Sequence, residues 1–452
     1  MTVNGKFLFA VLLAFAALAA DAGNYGAKKR PSRKEKTVET RPAKEKIDPS
    51  AGEVTVPAEA GSELPVPAAN RALGVALFSD KALLWESSPV ELAKRMKLPV
   101  PKRSADGESL GIFTKRKVFF AGSGVEEFRF FCRDGKVVRL DLMILDKGDS
   151  IKGKVVSSRR SDFSKQLQRE ERQLTRNLTA AFGSPGVGFI GSGKFARRCP
   201  RWFCREAAIA VEANDREFLV LHILPPEQLT KTRLQQSENR LDRAKLDLAK
   251  RVRREENGDV FLEGVPMVDQ GSKGYCVPAT LERCFRYYGI NDFDMHRIAD
   301  AGRTGAGESG GTVLASAISG LAPMLRDSRL RISSCGKLRL RSVARAIDAG
   351  TPVVWALFSS PEYLARLKEH NAAREKCETI ADWKTELRKM RRLSSPKKGA
   401  HVCLIIGYNS ATEEIAVTNS WGSAPLAVIA WVRIADALAA DAGEDLYTIK
   451  PR

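Results

Sequence analysis

From His401 the chain runs through an unbroken apolar segment, Val402 to Ile406, and passes Gly407, Tyr408, Asn409 and Ser410. A second run, Glu414 to Val417, then leads into Thr418 and Asn419. Two short β-prone runs flanking a turn bury their apolar faces as an antiparallel hairpin, which commits the C-terminal part of the chain to a sheet. Folding about Ser410 makes His401 and Asn419 cross-strand neighbours, with Cα atoms roughly 4.5 to 5.5 Å apart. A slip of one residue would turn the two side chains to opposite faces.

Far upstream, Cys276 opens an amphipathic segment. Val277, Leu281, Cys284, Phe285 and Tyr288 recur at helical spacing, Pro278 fits the first turn and Gly289 closes the helix. At a helix N-terminus the macrodipole and unpaired amides favour a thiolate, the nucleophilic form of cysteine. Taken alone, Cys276 reads equally well as a buried thiol. An imidazole beside that thiol supplies the proton transfers for attack on an acyl carbonyl and for departure of an amine. An amide oxygen on the far ring nitrogen fixes tautomer and orientation without adding charge, which suits Asn419. This chemistry needs no metal and no organic cofactor, and the four histidines are too scattered in sequence for a zinc site.

The 452 residues are enough for more than one core. Residues 1–20 carry Lys6 and an apolar run from Phe7 to Ala19, too short for a bilayer span, and read as a cleaved signal peptide. The mature protein is then secreted or periplasmic, with no membrane span. Residues 21–71, rich in Lys, Glu, Pro and Ala, read as a disordered basic linker. Residues 72–225 read as an α+β domain of unknown role. It has strands at Val118 to Ala121, Glu126 to Cys132 and Val137 to Ile144, a helix from Phe163 to Phe182, and a hairpin from Ala207 to Leu224. His222, in an apolar strand, reads as packing. Residues 226–257, with Leu234, Leu241 and Leu248 seven apart, read as a charged helical spacer or a prosegment helix, which raises cleavage near Arg253 and Arg254. Residues 258–452 form the last domain, and the N-terminal domain is placed to contact it.

Eight cysteines, one assigned to chemistry, leave at most three bridges, and Cys199 with Cys204 form either a local bridge or a pair of buried thiols. The formal net charge of +20 invites nucleic-acid binding. No RNA-binding aromatic signature or zinc-finger spacing accompanies it, so the expectation is a peptide or protein substrate and no nucleic acid.

The run Gln270, Gly271, Ser272, Lys273, Gly274, Tyr275, Cys276, the strand from His401 to Gly407 and Tyr408, and the quartet Asn419, Ser420, Trp421, Gly422 together resemble the papain-like cysteine peptidases. The resemblance covers the chain from about Val260 onward and implies an α+β fold: a C-terminal two-lobed papain-like domain, preceded here by the separate α+β domain and the spacer. It implies an exported cysteine peptidase with a triad of Cys276, His401 and Asn419. It also implies that Gln270 shares an oxyanion hole with the Cys276 backbone N–H, that Trp421 shields the His401–Asn419 hydrogen bond, and that Gly310 and Gly311 meet the substrate backbone.

The chain departs from that pattern. Lys273 stands where the family's usual first disulfide has a cysteine. Val277, Pro278, Ala279 and Thr280 look closer to the bacterial double-glycine peptidases, in which Asp replaces Asn419. A charged stretch, Pro361 to Lys398, precedes His401 as two amphipathic helices that either overhang the groove or form a surface excursion; His370 in it and His296 near the nucleophile read as surface or packing residues. The competing readings are a non-catalytic peptide-binding module on the same fold and a transglutaminase-like acyltransferase.

Overall fold

The computed structural model describes residues 64–103, 109–150, 157–191, 196–230, 247–271, 273–291, 293–304, 311–394, 397–422 and 427–452. The proposed signal peptide, most of the linker, and Leu234 and Leu241 of the proposed spacer lie outside them. Two eight-stranded antiparallel sheets organise the rest, so the chain is α+β. Among the described residues no helix is long and apolar enough to cross a membrane.

The N-terminal sheet comprises β1 (Lys102–Arg103), β2 (Ser109–Phe120), β3 (Ser123–Arg133), β4 (Lys136–Asp146), β5 (Gly186–Ile190), β6 (Arg197–Cys204), β7 (Ala207–Asn214) and β8 (Phe218–Leu224). Their order is β1-β2-β3-β4-β8-β7-β6-β5. Asp134 and Gly135, both at positive φ, make the tight turn between β3 and β4. Helices α1 (Val66–Leu73), α2 (Pro89–Arg95), α3 (Lys147–Ser150), α4 (Ser157–Phe182) and α5 (Pro226–Thr230) accompany the sheet. Alternation along the strands gives it two unlike faces. Phe128, Phe130, Leu140, Leu142, Leu221 and Ile223 point to one face, where Phe163, Leu167, Leu174 and Leu178 of α4 complete a core. The other face carries Glu127, Arg129, Arg139, Asp141, Glu212 and His222. Alternation of this kind ordinarily marks a solvent face, yet Glu127, Asp141, Glu212 and His222 are buried, because the second domain packs over them.

The C-terminal sheet comprises β9 (Val252–Arg254), β10 (Val260–Leu262), β11 (Leu330–Gly336), β12 (Val353–Phe358), β13 (Ala400–Asn409), β14 (Glu414–Thr418), β15 (Ala430–Arg433) and β16 (Leu446–Pro451). Its path is β11-β16-β12-β13-β10-β9, with β14 and β15 added beside β13. Helices α6 (Cys276–Tyr287), α7 (Met295–Ala301) and α8 (Leu314–Asp327) gather on one side of the domain; α9 (Leu340–Asp348), α10 (Pro361–Arg374), α11 (Ile380–Lys389) and α12 (Ile434–Ala440) lie later in the chain. One continuous apolar core runs from α6 and α8 into the sheet.

Two expectations need correction, and one open alternative is settled. Helix α1 begins inside the proposed linker and runs past its end, and its Val66 and Ala69 join the N-terminal core, so that domain begins before residue 72. The C-terminal end of the proposed helical spacer is strand β9, which pairs with β10 across Asn257 and Gly258 and belongs to the second sheet. The Asn-Gly pair beside an apolar run was the signal, outweighed by the heptad leucines. Cys199 and Cys204 are unbridged buried thiols. They lie an odd number of residues apart on β6, one in the helix-covered core and the other in a small cluster with Ala208 and Ala210, so their side chains point apart.

Candidate active site

Helix α6 begins at Cys276, with Tyr275 as its N-cap and Pro278 in the first turn. Ala279, Leu281 and Phe285 are fully buried. Arg283, also buried, donates through Nε to the Pro266 carbonyl at 2.6 Å and through Nη2 to Thr418 Oγ1 at 2.7 Å. Thr280 Oγ1 donates to the Val402 carbonyl at 3.1 Å. Helix α6 is thereby tied to both strands of the hairpin, through two polar residues that lie outside its apolar periodicity.

The hairpin has a different register from the one expected. Asn409 pairs with Glu414 around a four-residue turn, and Leu404 pairs with Thr418, with a bulge between Ile405 and Gly407. Continuing that register puts Asn419 opposite Cys403, two residues from His401. Two residues preserve the face, so His401 and Asn419 still project to the same side. Without the extra residue of the bulge, Ile406, the offset would be odd and the two would face apart. Glycine is required at position 407 because β10 closes on the bulge there: an added Cβ would lie 2.7 Å from the Val260 carbonyl oxygen.

His401 Nε2 and Asn419 Oδ1 are 3.0 Å apart, so the ring N–H donates to the amide oxygen and Nδ1 is the free ring nitrogen. The Trp421 indole stacks on the imidazole with centroids 4.9 Å apart. Asn419 N–H donates to the Ala427 carbonyl at 2.9 Å. Gln270 lies on the loop before α6. Its N–H donates to the Ser420 carbonyl at 3.0 Å, Ser420 Oγ donates to its Oε1 at 2.6 Å, and its Nε2 donates to the Lys273 carbonyl at 2.8 Å. The segments that carry Cys276, Gln270, His401, Asn419 and Trp421 thus interlock. Gly311 is described and an added Cβ there would meet nothing within 4 Å, whereas Gly310 lies outside the described residues.

Burial pushes the Cys276 thiol up, and the amides of Val402, Val277 and Cys276 itself pull it partly back. Burial lowers His401 to about 4 against the opposing effect of its hydrogen bond to Asn419. A helix N-terminus alone favours a thiolate; the folded site favours a neutral thiol and a neutral imidazole, because desolvation outweighs the amides at the helix terminus.

The other histidines are all buried. His222 lies between Asp141 at 2.8 Å and Glu212 at 3.1 Å, an ionic setting rather than apolar packing. His296 packs edge-on against Phe218 and Tyr275. His370 meets Glu414 at 2.6 Å; α10 and α11 pack against the turn end of the hairpin through His370, Arg374 and Trp383, and Asn371 donates to the Trp431 carbonyl of β15 at 2.9 Å. No group of residues suited to a metal ion occurs among the described residues.

Residues 262–438 match the model of the Peptidase_C39 like family. No curated protein matches the chain. Among solved structures, xylellain, a cysteine protease from Xylella fastidiosa, is similar at 13% identity, covering 45% of this chain and 88% of that one with a TM-score of 0.32. A protein described as a C39-like peptidase from Bacillus anthracis is similar at 15% identity, covering 43% of this chain and 98% of that one with a TM-score of 0.29. Over residues 262–438 the C-terminal domain is similar to the Peptidase_C39 like family.

Proposed function

We propose that the chain is an exported cysteine peptidase in which Cys276 is the nucleophile, His401 the general base, Asn419 the orienting amide, and Gln270 with the Cys276 backbone N–H the oxyanion hole. The observation that carries this reading is the 3.0 Å hydrogen bond between His401 Nε2 and Asn419 Oδ1, which leaves Nδ1 available to a thiol. The Cys276 sulfur in turn receives the amide of Val402, the residue after His401.

In the resting site both partners are neutral. As the sulfur bonds to the carbonyl carbon, the thiol proton passes to Nδ1 and the carbonyl π pair becomes an oxyanion. One Gln270 Nε2–H serves the Lys273 carbonyl, and the second is left for that oxyanion. A preorganised donor of this kind lowers the barrier by about 3 kcal/mol. Collapse breaks the C–N bond, and the imidazolium proton leaves with the amine. A water deprotonated by Nδ1 then cleaves the thioester, and the thiol is regenerated.

Trp421 shields the His401–Asn419 bond, and the open space at Gly311, with Gly310 beside it in sequence, receives the substrate backbone. Residues 1–20 act as a signal peptide and place the mature chain in a periplasm or outside the cell. The test is turnover of a diverse peptide library by the Gly26 to Arg452 protein and by its Cys276→Ala variant under mild reduction. Cleavage by the first and not the second is expected. Silence from both would favour the peptide-binding module.

A further inference from the structure

The loop that carries Gln270 is fastened on its far side to the other domain. Lys273 is fully buried, with its Nζ 3.4 Å from Glu127 of β3 and 3.5 Å from Asp146 of β4. The same ammonium lies 5.1 Å from the centre of the Phe113 ring on β2. Tyr275, directly before the nucleophile, donates its hydroxyl proton to Glu217, which also pairs with Lys147. The fit leaves no slack. An added Cβ at Gly271 would lie 2.8 Å from the Phe113 ring, and one at Gly148 would lie 2.8 Å from the Tyr275 ring. On the active-site side, the Lys273 carbonyl accepts from Gln270 Nε2 at 2.8 Å. Lys273 therefore spans the two: its side chain belongs to the N-terminal sheet and its carbonyl sets the amide of Gln270.

We propose that Lys273 is a positioning residue through which the charged face of the N-terminal sheet holds the oxyanion donor Gln270, so that peptidase activity belongs to the two-domain unit rather than to the C-terminal domain alone. This rests on the peptidase reading above. Arg297 donating to Glu212 at 2.7 Å and Arg197 paired with Asp300 at 3.3 Å fix the same face to α7, which keeps the acidic partners of Lys273 in register with the loop.

The test compares variants of the full chain by kcat and KM for a cleaved peptide, by thermal midpoint, and by the rate at which iodoacetamide alkylates Cys276. Alkylation needs the nucleophile but no oxyanion hole. Lys273→Met is expected to lower kcat about 10- to 100-fold, with KM and alkylation rate changed by less than about twofold. Lys273→Arg keeps the cation and is expected to recover part of kcat. Lys273→Met combined with Glu127→Gln and Asp146→Asn removes the carboxylates left without their cation. That variant is expected to regain thermal stability while kcat stays low. A kcat that recovers together with the thermal midpoint in the combined variant, or that never falls in Lys273→Met, overturns the proposal and leaves the peptidase reading standing. Absence of turnover by the unaltered chain overturns the peptidase reading and the proposal with it.

Discussion

Under the proposed mechanism the acid limit of activity is set at His401. Its folded value of about 4 lies below the ordinary histidine value, so the base stays unprotonated well into the acid range. The acid limb of kcat/KM is expected to have its midpoint near 4 rather than near the usual histidine value of about 6.5. Asn419→Asp places a negative charge on the far ring nitrogen, favours the imidazolium and moves that midpoint upward. Asn419→Ala removes the orientation and is expected to lower kcat by roughly 10- to 100-fold. A pH profile of the three proteins checks both statements; a limb that stays put in Asn419→Asp would show that another group governs it. Cys276, His401, Asn419, Gln270 and Trp421 stand out in the sequence as a candidate set because each sits in a short motif with its own chemistry. Arg283 and Thr280 do not, since their partners are backbone carbonyls and the Thr418 hydroxyl, which leave no pattern in the sequence.

At the scale of elements, the hairpins of the N-terminal domain were legible where turn chemistry and alternation agreed, as at Asp134 and Gly135. The hairpin that carries His401 and leads into Asn419 was legible in kind but not in register. Its pairing depends on the four-residue turn after Asn409, whose Oδ1 accepts from the Ala411 and Thr412 amides, and on the bulge before Gly407. Gly407→Ala is expected to cost on the order of 1–3 kcal/mol, since the new methyl meets the Val260 carbonyl and cannot be absorbed by a flexible side chain. It should also lower turnover by shifting His401 against Asn419. Urea unfolding together with kcat checks this, and a stable variant with unchanged kcat would mean that the bulge does not set the alignment.

At the scale of the molecule, the sequence misrepresents one face. Glu127, Arg129, Arg139, Asp141, Glu212 and His222 alternate with apolar residues as a solvent-facing row would, and pattern alone does not say that a second domain covers them. Breaking such pairs leaves buried charges without partners, so the domains are expected to unfold together. Fluorescence and circular dichroism should give coincident urea midpoints; two separate transitions would contradict this. Glu217, at the same interface, is raised to about 7 by burial, against the pull of Lys147 and Tyr275. With a folded value above the unfolded one, its contribution is complete below about 4.3 and is lost as pH rises through about 7. Glu217→Gln should remove that part of the decline, leaving a flatter stability profile between roughly pH 5 and 8.

The most direct measurement is of the covalent intermediate. A peptide ester that the chain turns over is mixed with the Gly26 to Arg452 protein, quenched in acid, and the protein is digested and weighed by mass spectrometry. The expected result is the acyl mass on the fragment that contains Cys276, absent in Cys276→Ala and accumulated in His401→Ala at most slowly. Cleavage that proceeds with no acyl mass on Cys276, or that persists in Cys276→Ala, would contradict the assignment of the nucleophile.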